Sequence, residues 1–514
     1  MIERHPRAGL WLAGVLVLVA LFWTLDLAVL RAGVPDPLDD TWEYGVAARQ
    51  LLAGHGFRTT VIHPPLWGLR DDALSVPVLV HGPLLPVLIA PALAILGAGA
   101  LDLVAWLAAA FAFLTAWLLF RAGTRHFGPA AGAAAALLFT LAPLTVRAVN
   151  HDVSLLAGAL LLLLVFDLLA RERPHHGWAS LLLGLGVLVR PEMALALPGL
   201  AMLAGGGGTV ALILGMALVA GAWWWHNLRA TGSPFFNLSS YLLVGYSEQW
   251  PGIRVLRDFA LTPERWPRVL VEQWPWLPDK ARENLPHALK RALLAPGDFT
   301  GWLAAVGAVV GIARASTRWI VVAAVVCALV PVAIMSFTLY DSRYLTPFLP
   351  LWALAAAVGA ERLWGFIPRV GRSPLWVALL VLLMLPSTLP ALDTATREAR
   401  MLEARLARER SALASRVTPA TRLARLTPLG LEMPADSAGA GVPRPMFSDT
   451  PDFVAWTTGR PTIWVTRPEY ERLPAPRTAL PRGQAQRGVA AAAPADTLPT
   501  RGNPEDTWFH DDLR

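Results

Sequence analysis

Apolar stretches of roughly 15 to 22 residues recur along the first three quarters of the chain, near the ~20 residues that a helix needs to cross the hydrocarbon core. Short polar breaks divide them into predicted spans at 9–30, 101–120, 129–146, 154–170, 178–190, 191–204, 209–226, 298–313, 319–339, 345–363 and 375–390. Residues 83–97, PLLPVLIAPALAILG, are different. Three prolines in 15 residues make a poor crossing, so a re-entrant or juxtamembrane helix is predicted there.

The basic residues support this count of 11 spans. Arg4 and Arg7 place the N-terminus inside, and a non-crossing 83–97 then puts Arg121/Arg125, Arg171/Arg173, Arg314/Arg318 and Arg362/Arg369/Arg372 inside as well. Loops 31–82, 147–153, 227–297 and 340–344, with everything after 391, share the outer face. The first apolar run is longer than a secretory h-region and reads as an uncleaved anchor.

One outer stretch is unusually acidic. In DPLDDTWEYGVAARQLLAGHGF, Asp36, Asp39, Asp40 and Glu43 precede a helical pattern in which Tyr44, Ala47, Ala48, Leu51 and Leu52 share a face, Arg49 and Gln50 point away and Gly54 supplies a stop. An amphipathic helix on the outer membrane surface is predicted. Asp40 with Glu43 three residues on fits a capping box; a solvated loop and an active site are the other readings. His55 and His63, further along this loop, are expected to face water.

The last quarter changes character. Residues 391–416 read as a polar helix, and SDTPDFVAWTTGRPTIWV pairs a helical run with a β-rich strand, so 391–473 is predicted to be a small α/β domain on a transmembrane domain of residues 1–390. The motif Trp456 to Arg460 reads as that domain's own packing. Residues 474–514, rich in Pro, Ala, Arg and Gly, read as disordered. No internal repeat and no phosphate-binding glycine loop is present.

Composition agrees. Of 514 residues 55% are hydrophobic and 16% charged, with a mean hydropathy of +0.48, which excludes an ordinary soluble globule. The 22 Trp suit interfacial belts. The net charge of +7 lies in short clusters between apolar segments, so it marks orientation and membrane-lipid contact and no nucleic-acid partner. Cys327 is the only cysteine, which excludes an intrachain disulfide and a thiolate metal centre.

Seven motifs then fall in a telling order: DDTWEYGVAARQLLAGHGF, HGPLLPVL at 81–88, RAVNHD at 147–152, RPE at 190–192, WWWHNLRATGSPF at 223–235, YDSRYLTPFLP at 340–350 and SDTPDFVAWTTGRPTIW at 448–464. This order resembles the GT-C membrane glycosyltransferases, in the group that includes protein O-mannosyltransferases and lipid A aminoarabinose transferases. The resemblance implies an all-α polytopic bundle whose first outer loop carries a catalytic carboxylate. It further implies an inverting enzyme that moves a hexosyl or pentosyl sugar from a polyprenyl-phosphate donor to a lipid, glycan or protein acceptor.

Carried over, the Asp-x-x-x-Tyr spacing points to Asp40 with Tyr44, and Asp39 is its neighbour and alternative. His81-Gly82-Pro83 departs from the family's His-Pro-Pro, and WWWHN replaces Trp-x-x-Arg-Asn, so His226 or Arg229 stands where an arginine is expected. The chemistry needs a carboxylate to take the acceptor's proton and guanidinium forks to receive the departing lipid phosphate. Arg343, Arg190 and Arg147 are the phosphate candidates; a salt bridge to Asp341, a helix-break partner and snorkelling are their structural alternatives. Tyr44, His81, Asp152, Glu192, His226, Asn227 and Tyr344 are the substrate-binding candidates. No cofactor is assigned, and a divalent metal is left open; His151-Asp152 reads first as an N-cap. The rival reading is a polytopic transporter or lipid flippase, which places ionisable residues at the bilayer midplane of broken helices.

Overall fold

The computed structural model describes residues 8–33, 40–245, 254–259, 261–338, 342–365, 375–414, 446–448 and 451–464. Asp36, Asp39 and Asp341, and the tail 474–514, lie outside them. Sixteen α-helices occur among the described residues: α1 (Ala8–Gly33), α2 (Thr41–Leu52), α3 (Leu84–Leu96), α4 (Ala100–Phe127), α5 (Pro129–Thr140), α6 (Pro143–His151), α7 (Val153–Leu169), α8 (His176–Val189), α9 (Leu197–Thr231), α10 (Trp266–Gln273), α11 (Leu277–Leu294), α12 (Asp298–Ala313), α13 (Arg318–Met335), α14 (Leu349–Gly365), α15 (Leu375–Ala414) and α16 (Pro451–Thr458). The short strands are β1 (Arg58–Thr59), β2 (Val61–Ile62), β3 (Val76–Pro77), β4 (Met446–Ser448) and β5 (Thr462–Trp464).

Among the described residues four helices, Trp106–Phe127, Pro191–Thr231, Arg318–Met335 and Leu379–Arg397, are long and apolar enough to cross a membrane. Two bent pairs, Pro129–Thr140 with Pro143–Val149 (57°) and Pro263–Leu294 with Asp298–Ala313 (99°), raise the count to six if each is one span. Large apolar side chains such as Ile95, Leu218 and Val309 lie on the outside of the bundle, the reverse of a water-soluble surface. The chain is a multi-pass membrane protein.

Local chemistry accounts for the breaks. Asp152 ends α6 and caps α7, accepting the Ser154 amide at 2.9 Å, and Arg190 is extended (φ −145°, ψ 119°) because Pro191 follows it. Gly205 (φ +67°, ψ 179°) kinks α9 within the glycine run that the sequence marks as a break. The 13 residues of α3 reach about 20 Å at 1.5 Å per residue, short of the ~30 Å hydrocarbon core. The polar stretch after residue 391 continues a span without interruption, since α15 runs from 375 to 414.

A tight seam joins α12 to α14. A Cβ on Gly307 would lie 1.7 Å from the Ala355 carbonyl oxygen, and one on Gly359 2.3 Å from that of Leu303, so the two backbones touch.

A second core gathers the long loops. Ile62, Leu66, Trp67 and Leu79 pack with Phe236, Leu238, Tyr241, Leu242 and Val269. Lys280, buried, fastens this layer to α11 by donating to the carbonyls of Leu242 (3.2 Å), Leu243 (2.9 Å) and Gly245 (2.6 Å), which end a 3-10 turn. β1 pairs antiparallel with β3, and β2, β5 and β4 form a parallel three-stranded sheet in the order β2-β5-β4.

Three expectations are corrected. Helix α2 does not lie on a surface: Thr41 through Ala48 are buried on every side, because α3, α4, β1 and α16 surround it. His63 is buried, at 7% exposure, whereas His55 is exposed as expected. Trp456 does not serve only its own segment; it packs against Trp42 of α2, ring centroids 5.9 Å apart.

Candidate active site

Asp40 stands at the N-terminus of α2 in a helical conformation (φ −56°, ψ −12°), and its side chain makes no capping hydrogen bond. The capping-box reading fails at its other end too. Glu43 turns inward: Oε2 lies 3.2 Å from Nε2 of His81, and Oε1 3.8 Å from Nε2 of His63. Burial alone would raise the Glu43 carboxyl, but the charges and contacts of His81 and His63 outweigh it and hold it well below the ordinary carboxylate range.

His81 completes the arrangement. Burial would lower its pKa, yet the charges of Glu43 and Asp40 raise it to about 9, so the ring is an imidazolium at neutral pH. Its Nδ1 is 3.4 Å from the Tyr44 hydroxyl, and the two rings meet edge to face at 4.9 Å. Burial, then the charges of Asp152 and Asp40, raise the Tyr44 phenol well above its usual range, which keeps it a neutral donor. Gly82 explains the departure from His-Pro-Pro. A Cβ there would sit 2.0 Å from the Leu188 carbonyl oxygen, so only glycine lets the His81 turn rest on the end of α8, beside Arg190.

Arg190 centres a second cluster. Its Nη2 pairs with Asp152, Nε donates to Ser154 Oγ at 2.6 Å and Nη1 to Glu192 Oε1 at 2.6 Å. Each nitrogen of this buried fork already meets a protein oxygen, so Arg190 joins the α6–α7 break to the α8–α9 break. The Arg190 charge, followed by a Ser154 hydrogen bond and Arg343, overcomes burial and lowers the Asp152 carboxyl below its usual range. The Tyr344 ring lies under both guanidinium groups, 5.6 Å from Arg190 and 5.4 Å from Arg343.

Beside this network opens a cleft of about 330 Å³, its open mouth included, lined by Arg147, Asp152, Leu155, Arg343 and Thr346 among others. Two arginines, one carboxylate and a buried threonine hydroxyl with no hydrogen-bond partner thus meet in one concavity. Such a set suits a phosphate group.

The structure therefore gathers Asp40, Tyr44, His81, Asp152, Arg190, Glu192, Arg343, Tyr344 and Arg147 into two adjoining clusters. His226 and Asn227 lie elsewhere. His226 stacks on Trp223 (4.8 Å, 12°), and Asn227 donates to the Phe236 carbonyl at 3.1 Å, which ties α9 to the loop layer. Glu43, His63, Ser154 and Thr346 join these clusters without having been named among the binding or catalytic candidates. Only Glu43 carried a signal, as a member of the acidic run. Among the described residues no group of three or more His, Cys, Asp or Glu side chains is arranged to hold a metal ion.

Residues 80–225 match the profile of the dolichyl-phosphate-mannose-protein mannosyltransferase family. The matched part includes His81, Arg147, Asp152, Arg190 and Glu192. The oligosaccharyltransferase AglB from Archaeoglobus fulgidus, solved with an inhibitory peptide and a dolichol-phosphate, superposes with a TM-score of 0.51 at 15% identity, covering 90% of this chain and 64% of that one. The A. fulgidus oligosaccharyltransferase complex with Zn and sulfate gives 0.52 at 15% identity, with the same coverage. The chain has the fold of the GT-C membrane glycosyltransferases. ArnT from Cupriavidus metallidurans, bound to undecaprenyl phosphate, matches at a TM-score of 0.46 and 14% identity over 88% of this chain and 86% of its own. No curated protein matches this chain, and it spans 64% of the length of the archaeal structures.

Proposed function

We propose that this protein is an inverting glycosyltransferase of the bacterial inner membrane that moves a sugar from a polyprenyl-phosphate donor to a lipid, glycan or protein acceptor on the outer face. The cleft where Arg147 and Arg343 converge beside the Asp152–Arg190 network carries this reading. The acceptor hydroxyl or amine attacks the anomeric carbon, Asp40 takes its proton, and the carbon–oxygen bond to the lipid phosphate breaks. Negative charge then gathers on the phosphate, where the arginines receive it. His81 and Tyr44 stand between the two ends as fixed donors. The dolichol-phosphate in the AglB complex supports a lipid-linked donor, and the charge clusters support eleven crossings with 83–97 returning to its side of entry. A 391–473 domain on the same outer side follows from that topology.

The polar groups favour catalysis over transport. They sit at helix ends beside the loop layer, whereas a transporter places them within broken helices at mid-membrane. Purified protein in vesicles should transfer sugar from a polyprenyl-phosphate donor, and envelope glycans of a deletion strain should lack one sugar by mass. Unchanged glycans together with no transfer would overturn the proposal.

A further inference from the structure

Helix α16 and strand β5 follow the acidic helix by some four hundred residues, yet they are fastened to it and to the β2 segment that follows it. The Thr462 amide donates to the Thr60 carbonyl at 2.8 Å, and β5 runs parallel to β2 with Val61 opposite Thr462 and Ile62 opposite Ile463. Arg49 of α2 donates from Nη1 to the Trp456 carbonyl at 2.9 Å, and its guanidinium lies 4.0 Å above the Trp456 ring. Trp456 also packs on Trp42, the residue before Glu43. Gly45 admits it: a Cβ at that position would stand 3.0 Å from Trp456 Cζ3 and 2.9 Å from Leu101 Cδ2. Finally Trp464 meets the His63 ring edge to face at 5.2 Å.

These contacts bracket the Glu43–His81–His63 group. One aromatic presses on the helix that carries Glu43, and the other on the histidine that faces it. The segment also has no apolar centre of its own among the described residues, since Val454, Ala455 and Trp456 join the helical core and Ile463 joins the loop core. Its contacts are spent on α2 and β2.

We propose that residues 451–464 are a positioning clamp for the catalytic loop, in which Arg49, Trp456 and Trp464 hold α2 and β2 so that Asp40 and Glu43 keep their places beside His81 and His63. This rests on the glycosyltransferase reading for its functional half. A displacement of a catalytic group by about 1 Å can cost about 100-fold in rate, so a loosened clamp lowers turnover without emptying the donor site.

The test uses the full chain in vesicles, with Cys327→Ala and a cysteine pair, Val61→Cys and Thr462→Cys, across the β2–β5 register. The parent pair should form a disulfide readily and keep its transfer activity. Arg49→Leu should cut the disulfide yield and lower kcat about tenfold or more, with KM for the polyprenyl-phosphate donor within about twofold. Forming the disulfide in the Arg49→Leu chain should restore kcat, which a general loss of stability would not do. Unchanged kcat in Arg49→Leu, or a loss that the disulfide fails to restore, overturns the clamp. If the parent transfers no sugar, the catalytic reading is what has failed, and the disulfide yield decides alone: equal yields with and without Arg49 sink the clamp, and a reduced yield upholds its structural half.

Discussion

Nε2 of His81 lies 3.2 Å from Oε2 of Glu43, across 38 residues of chain and inside a site from which water is largely excluded. The pair is strongest when the ring is charged. The folded pKa of His81, about 9, is raised above the unfolded value of ~6.5, so its stabilisation is complete below that value and is lost as pH climbs through 9. Thermal melts should therefore show Tm falling between pH 7 and pH 10. In Glu43→Gln the fall should be shallower, and equal slopes for the two proteins would remove the ion pair from the account.

Asp40 makes no capping bond to its own helix. Asn caps a helix about as well as Asp, so a merely structural Asp40 predicts a silent Asp40→Asn. We expect that variant to fold and insert normally while losing at least about 100-fold in transfer, the usual size of a general-base contribution. Asp39→Asn serves as the comparison. Full activity in both variants would place the base elsewhere.

Arg343 and Arg190 should respond differently to lysine. At Arg343, on the cleft, an ammonium keeps the charge but loses the planar fork. A lost charged hydrogen bond costs ~1.5–3 kcal/mol, or roughly ten- to a hundredfold in Kd for polyprenyl phosphate. Equilibrium binding to the purified protein measures it, and unaltered affinity would dismiss the clamp on phosphate.

For Arg190 the effect should appear in folding. Arg190→Met leaves the buried Asp152 carboxylate without its partner, a change that costs ~3–5 kcal/mol in buried ion pairs. Asp152→Asn in the same chain should recover part of the loss. Denaturation of the single and double variants, read as a cycle, gives the coupling.

The placement of the site depends on α3 turning back. Arg121, exposed six residues before the end of α4 that follows it, reports on this. In a Cys327→Ala background, Arg121→Cys should react with an impermeant thiol reagent only after the membrane is opened. Labelling on intact cells would make α3 a crossing and reverse the sidedness of every loop.

Much of this was legible from local pattern. The stop at Gly54, the cap at Asp152 and the break at 204–208 each follow from one or two residues whose backbone preferences are strong. The three arginines stood out because a charge among apolar segments needs a reason. Glu43 did not stand out, because its spacing from Asp40 imitates a capping box while its true partners lie 20 and 38 residues on. His63 looked like a loop residue beside two prolines. What buries it is β5, some four hundred residues later, and no local periodicity records such a pairing. His226, which the resemblance set where an arginine is expected, stacks on Trp223 one turn back along its own helix, a local contact that the motif spacing does not record.

The α12–α14 seam bears on inheritance as well as on packing. Gly307 and Gly359 face opposing backbone with no space for a methyl group. Every single-base change that alters the meaning of a glycine codon yields either a residue with a Cβ or a stop. Neither position therefore has a harmless neighbour one mutational step away, and random drift of the gene should leave both glycines standing while the lipid-facing positions around them exchange freely among apolar residues.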